Sequence, residues 1–194
     1  MNLKGIRLGF VVTGSHCTMK NVLTEIDNLV KEGADVYPVV SYSISTTDTR
    51  FGKASEFCNK LKEITGHEPI KTIVDAEPIG PNKLFDVLVV APCTGNTLAK
   101  LANGITDTPA LMAIKAHLRN QRPVVIAVST NDGLGLNAKN IATLLNTKHI
   151  FLVPFGQDNP IEKPNSLVAR LDKIRDTIRL ALEGKQIQPV LIQY

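Results

Sequence analysis

The sequence predicts an α/β protein of three layers, a doubly wound parallel sheet of Rossmann or flavodoxin type, in a single domain spanning residues 1–194. Strand-length apolar runs alternate with amphipathic helical stripes along the chain. The run over residues 87–91 is continuously apolar with β-branched residues, as a strand covered on both faces requires. The first strand–helix–strand unit has the spacing of a right-handed crossover between parallel strands.

The elements follow in order. Residues 6–12 form an apolar strand, and Thr13-Gly14-Ser15-His16-Cys17 is the turn after it. Val22, Leu23, Ile26, Leu29 and Val30 make the buried stripe of a helix that Gly33 ends, and residues 35–40 are the second strand. The stretch 41–49 is a hydroxyl-rich loop, either a solvated connector or an active-site flap, with Arg50 at its edge. A helix over 51–64 ends at Gly66, and Pro69, Pro78 and Pro81 break up 67–84, in which 70–74 reads as a short strand.

The chain is organised around residues 85–108. After the strand at 87–91, Pro92 is a stop and residues 93–97 are a polar turn. Leu98, Leu101, Ala102 and Ile105 then fall on one helical face. Thr94 or Asn96 can cap that helix, and the same residues can bind a ligand at the carboxyl end of the strand. A helix over 108–120 and a strand over 124–128 lead to a third polar loop, 129–136. A helix over 138–145, a last strand over 149–153, a loop over 155–164 and an amphipathic helix over 167–182 close the domain, with Leu171, Ile174 and Ile178 inward. Residues 186–194 form an apolar tail that calls for cover from its own domain or a neighbouring subunit.

Composition narrows the function classes. Hydrophobic residues at 43% and charged residues at 21% suit a soluble globular chain, and no apolar run approaches the length of a membrane span. Residues 1–5 lack the start of a secretory signal, so a cytoplasmic protein is expected. A net charge of +4 without a Lys/Arg cluster argues against nucleic acid and suits an anionic substrate. Cys17, Cys58 and Cys93 contain no CxxC, and His16, His67, His117 and His149 show no metal spacing. Packing is the default for Cys17 and Cys93, and His16 is a lone histidine beside the first turn.

The stretch from Ala91 to Asp107, APCTGNTLAKLANGITD, resembles the signature of the flavoprotein family of flavin-dependent cysteine decarboxylases and flavin prenyltransferases. The resemblance implies FMN as the cofactor. It implies that Pro92, Thr94, Asn96 and Thr97 hold the isoalloxazine and ribityl part, and that Gly14, Ser15 and Ser41 bind the phosphate. Two departures point away from the decarboxylase and prenyltransferase reactions. The third loop keeps only Asn131 of a Pro-Ala-Met-Asn motif, with Asp132 shifted from the acidic position of the prenyltransferases, and residues 75–83 lack the decarboxylase histidine. Resemblance over the whole chain, carried by residues 9–17, 92–97 and 129–135, is to family members that act as oxidoreductase subunits on a small dicarboxylate. It implies a partner subunit that holds NAD(P), little activity from this chain alone, and a homo-oligomer, a trimer assembled further. Asn131, the backbone of 133–135 and Arg50 are then the expected contacts of the substrate carboxylates.

Overall fold

The computed structural model of the chain describes residues 3–15 and 18–193. His16 and Cys17 of the first turn lie outside the described residues.

Strand β1 (Arg7–Val12) is apolar from Leu8 onward and fully covered. Gly9 within it faces Phe85 and Leu88 so closely that a Cβ there would stand 2.5 Å from each, which requires glycine in the middle of the sheet. Helix α1 (Met19–Lys31) buries Val22, Ile26 and Leu29 and returns the chain to β2 (Asp35–Val40), parallel to β1. Gly33, at φ 88°, makes the turn between them.

The hydroxyl-rich stretch opens as a helix, α2 (Tyr42–Thr46), and not as a loop throughout, because the Ser41 carbonyl accepts from the N–H groups of Ile44 and Ser45. Helix α3 (Ala54–Thr65) starts three residues later than expected, after a Thr49–Gly52 turn. Only Ile70 of the strand expected over 70–74 pairs, bridging Val39; Ile73–Ala76 is a helical turn, α4, capped by the Thr72 hydroxyl, which accepts from the Asp75 N–H at 3.0 Å. A 3-10 turn over Glu77–Ile79 follows.

Strand β3 (Val87–Cys93) does not stop at Pro92. The Ala91–Pro92 bond is cis, the ladder to the next strand shifts register there, and pairing resumes between Cys93 and Val128. The shift accommodates a residue with no N–H to give the ladder. Helix α5 (Gly95–Ala102) is shorter than its apolar spacing suggested; Gly104 at φ 70° turns the chain and leaves Ile105 47% exposed. Helix α6 (Pro109–Leu118), strand β4 (Val124–Thr130), helix α7 (Ala138–Leu145) and strand β5 (Ile150–Leu152) follow as expected, the last of these shorter by a residue at each end.

β5 is not the last strand. β6 (Phe155–Gly156) and β7 (Leu167–Ala169) form a short antiparallel pair, and β7 also runs antiparallel to Ser129 and Thr130. The expected helix over 167–182 is therefore only a 3-10 turn, Leu171–Lys173, and α8 (Ile174–Leu182). In 167–169 the side chains alternate inward and outward, a period-2 segment that runs directly into a helical stripe. The tail is tied down where Phe155 bridges Leu191 and the Gln186 side chain pairs with both backbone groups of Leu152.

The sheet order is β2-β1-β3-β4-β7-β6, parallel through β4 and antiparallel beyond it, with β5 parallel to the first half of β4. α8 packs over β3, β4 and β5 while α6 packs over β1, β2 and β4, and helices cover both sides of the sheet. The chain leaves β1 for β2 on one side and β3 for β4 on the other. The carboxyl ends of β1 and β3 are thus a topological switch point, where the loops diverge and open a crevice.

One core polar group makes stability depend on pH. His117 is 1% exposed and its Nε2 lies 3.1 Å from the Pro123 carbonyl oxygen, to which the neutral ring donates. Burial pushes its pKa down from 6.5 to about 4, against the opposing pull of the Pro123 carbonyl. Between those values the unfolded chain takes up a proton that the fold refuses. Stability should be complete above pH 6.5 and fall by about 3 kcal/mol as pH drops through that window. Urea denaturation of the protein and of His117→Gln at pH 7.5 and 4.5 checks this; equal pH dependence in the two would refute the assignment.

Candidate functional site

The crevice at the switch point encloses about 370 Å³. Thr13, Gly14, Ser41, Tyr42 and Ser43 line one wall, and Thr94, Asn96, Thr97, Thr108 and Leu111 the other. Thr13, 1% exposed, joins the walls. Its hydroxyl donates to the Pro92 carbonyl at 2.7 Å and accepts from the Thr94 N–H at 3.1 Å, fastening the end of β1 to the end of β3.

Thr94 is the N-cap of α5. Its Oγ1 accepts from the Thr97 N–H at 3.4 Å and stands 3.1 Å from the Thr97 hydroxyl. Asn96, the other expected cap, instead projects from the first turn, exposed and with no side-chain hydrogen bond among the described residues. The sequence left capping and ligand binding open for both residues; in the fold Thr94 caps and Asn96 is free to meet a ligand. The helix N-terminus also directs N–H groups toward the crevice, which favours anions and polar acceptors.

Gly14 and Ser41 both line the crevice. Ser41 is 9% exposed, with its hydroxyl 3.0 Å from that of Ser43. Ser15 is half-buried and turned toward the third loop, where its hydroxyl lies 3.1 Å from the Ser129 hydroxyl, and its N–H donates to the Thr13 carbonyl at 2.7 Å. Pro92 offers its carbonyl to Thr13 and not to the cavity. Neither Ser15 nor Pro92 lines the crevice.

Arg50 is also elsewhere. It is exposed, with its guanidinium 4.9 Å above the Phe51 ring on the far side of α2. Asn131 is exposed and its neighbour Asp132 half-buried, both outside the crevice lining. Asp132 accepts from the Thr130 hydroxyl and, through both carboxylate oxygens, from the Asn137 amide at 2.9 and 2.8 Å. Asn137 in turn accepts from Asn140 at 2.9 Å. This network presses on Gly95: a Cβ there would meet the Thr130 hydroxyl at 2.5 Å, the Asn137 amide at 2.7 Å and the Asp132 carboxylate at 2.8 Å. A carboxylate beside the N-terminus of α5 is also favoured by the helix dipole.

Sequence reasoning missed Thr13, Tyr42, Ser43, Thr108, Leu111 and the Asp132–Asn137–Asn140 chain. Asn137 carried a readable signal, since it stands immediately before the apolar stripe of α7. Thr108 carried one as well, as the cap ahead of Pro109.

Among the described residues the lining holds hydroxyls, an amide and one phenol, with no carboxylate, imidazole or cation. Cys93 is fully buried at the strand end, and burial pushes its thiol far above the usual range, so it packs and does not react. Such a site can hold a polar, phosphate-bearing ligand through neutral donors.

A family model described as Flavoprotein matches residues 1–181. The dipicolinate synthase B subunit of Bacillus subtilis (strain 168) is 53% identical over 192 residues, 99% of this chain and 96% of that protein. The crystal structure of the dipicolinate synthase B subunit from Bacillus halodurans C has a TM-score of 0.92 at 53% identity, covering 100% of this chain and 99% of its own. The fold also recurs in the FMN-dependent cysteine decarboxylase SpaF, with a TM-score of 0.64 at 24% identity over 93% of this chain and 97% of that one.

Proposed function

We propose, from the premise that this chain belongs to the Flavoprotein family, that it is a subunit of dipicolinate synthase and holds FMN in the crevice between β1 and β3. It acts with a nicotinamide-dependent A subunit to oxidise dihydrodipicolinate to dipicolinate during spore formation, in the cytoplasm of the mother cell and as a homo-oligomer. The observation that carries the reading is the crevice itself: neutral donors from three loops meet at a topological switch point, in a chain 53% identical to the B subunit of a dipicolinate synthase.

The donor set fits FMN. Gly14, Ser41 and Ser43 would offer close backbone approach and hydroxyls to its phosphate, while the Asn96 amide and the first-turn N–H groups of α5 would be donors to its polar ring atoms. Leu111 and Tyr42 supply apolar surface for a flat body. When bound, FMN supplies a two-electron acceptor. The chain's own described lining residues bind and orient. NAD(P) then belongs to the A subunit.

Titration of the purified chain with FMN, read by quenching of flavin fluorescence, tests the assignment. Saturable binding is expected, weakened about tenfold by Ser41→Ala or Asn96→Ala, the size of one lost hydrogen bond to a ligand, at unchanged melting temperature. Fluorescence that stays unquenched through the titration would sink it.

A further inference from the structure

Helix α2 is a wall with two sides. Tyr42 and Ser43 face the crevice, whereas Ile44 and Thr47 line a second cavity of about 340 Å³ between α1 and α3. Met19, Leu23, Ile44, Ala54 and Phe57 give it an apolar floor. Lys20, Lys53 and Lys60 border it with exposed side chains, and Glu56 is the one acid among them.

These lysines differ from their neighbours on the same helices. Lys31 of α1 pairs with Asp27 at 2.6 Å, and Lys62 of α3 pairs with Glu68. Lys20, Lys53 and Lys60 have no ion pair or side-chain hydrogen bond among the described residues. Three ammonium groups against one carboxylate leave a net positive rim above an apolar floor, a potential that an anion relieves. The volume is at the lower end for small-molecule pockets, the size of one ring or a short chain and too small for a helix.

We propose that this cavity binds a small anion with an apolar body, an aromatic ring or short chain bearing a carboxylate or a phosphate, held by Lys20, Lys53 and Lys60 over the Met19–Ile44 floor. Its occupant leans on α2 from the side opposite the crevice, so binding should register in α2 as well.

Methyl and amide NMR of the full chain without added flavin tests this, with benzoate and phenyl phosphate as probes and benzyl alcohol as the neutral control. Saturable shifts of the Met19 and Ile44 methyl signals and of the α2 amides are expected with at least one anion. Binding of benzyl alcohol, and of the anion to the Lys53→Gln/Lys60→Gln variant, should be weaker by about tenfold or more. These lysines are exposed, so the variant keeps its fold. The anion that binds tighter identifies the head group. Equal binding of benzyl alcohol, indifference to the lysine changes, or shifts confined to Leu111 and Thr97 across α2 would overturn the proposal.

Discussion

Replacing Gly95 with valine should abolish FMN binding and lower stability by about 3 kcal/mol, the upper range for overpacking a closed site. The magnitude follows from what stands around the missing side chain. Three polar atoms, on Thr130, Asn137 and Asp132, lie between 2.5 and 2.8 Å from the position of a Cβ. They are side-chain ends, which elsewhere could swing aside, but here each is bonded to another of the set and Asn137 is further held by Asn140. Moving one unpairs the rest, and an Asp132 carboxylate without its donors is a costly group at a half-buried position. The same displacement tilts the first turn of α5, which carries Asn96 and Thr97 into the crevice. Thermal denaturation and FMN titration of Gly95→Val and Gly95→Ala measure the two effects. Alanine should show both in reduced form, and wild-type behaviour from valine would mean that the network is soft.

The second large effect concerns turnover. On the proposed reading, dihydrodipicolinate oxidation by this chain mixed with a dipicolinate synthase A subunit should exceed that of either alone by about 10²-fold or more. A positioned acid or base contributes that much to proton transfer, and the crevice lining contains neither among the described residues. Assays of each subunit and of the mixture give the ratio, and Asn96→Ala in the mixture should remove most of the gain with the fold intact. Full activity from this chain alone would end the two-subunit reading.

Much of this architecture was legible in the residues. The strands expected over 6–12, 35–40, 87–91 and 124–128 are all present, because their apolar runs are the buried stretches of the sheet, while β3 and β4 each continue two residues further than expected. The shorter elements were not legible for identifiable reasons. Ile73–Ala76 is helical through one Thr72 cap, a local bond that competes with the β preference of Ile73 and Val74. Residues 167–169 are a strand because Thr130 and Gly156 lie beside them, a tertiary fact with no local trace.

The site divided in the same way. Gly14, Ser41, Thr94, Asn96 and Thr97 were named from motif and position, and all five line the crevice. Asn131 and Asp132 are adjacent, and only the fold decides which of them is half-buried. Arg50 was placed by charge alone, and its guanidinium found the Phe51 face instead.

The Thr13 hydroxyl serves as donor and acceptor at once, to a carbonyl and an N–H that belong to the other wall. Its one proton is committed to the Pro92 carbonyl, so it has no donor left for a guest. Because both walls are fastened at their base by this one side chain, the opening between them is set before any ligand arrives. Entry then forfeits little conformational entropy on the protein's side, and the free energy of each contact with Ser41 or Asn96 is retained as affinity instead of being spent on ordering loops.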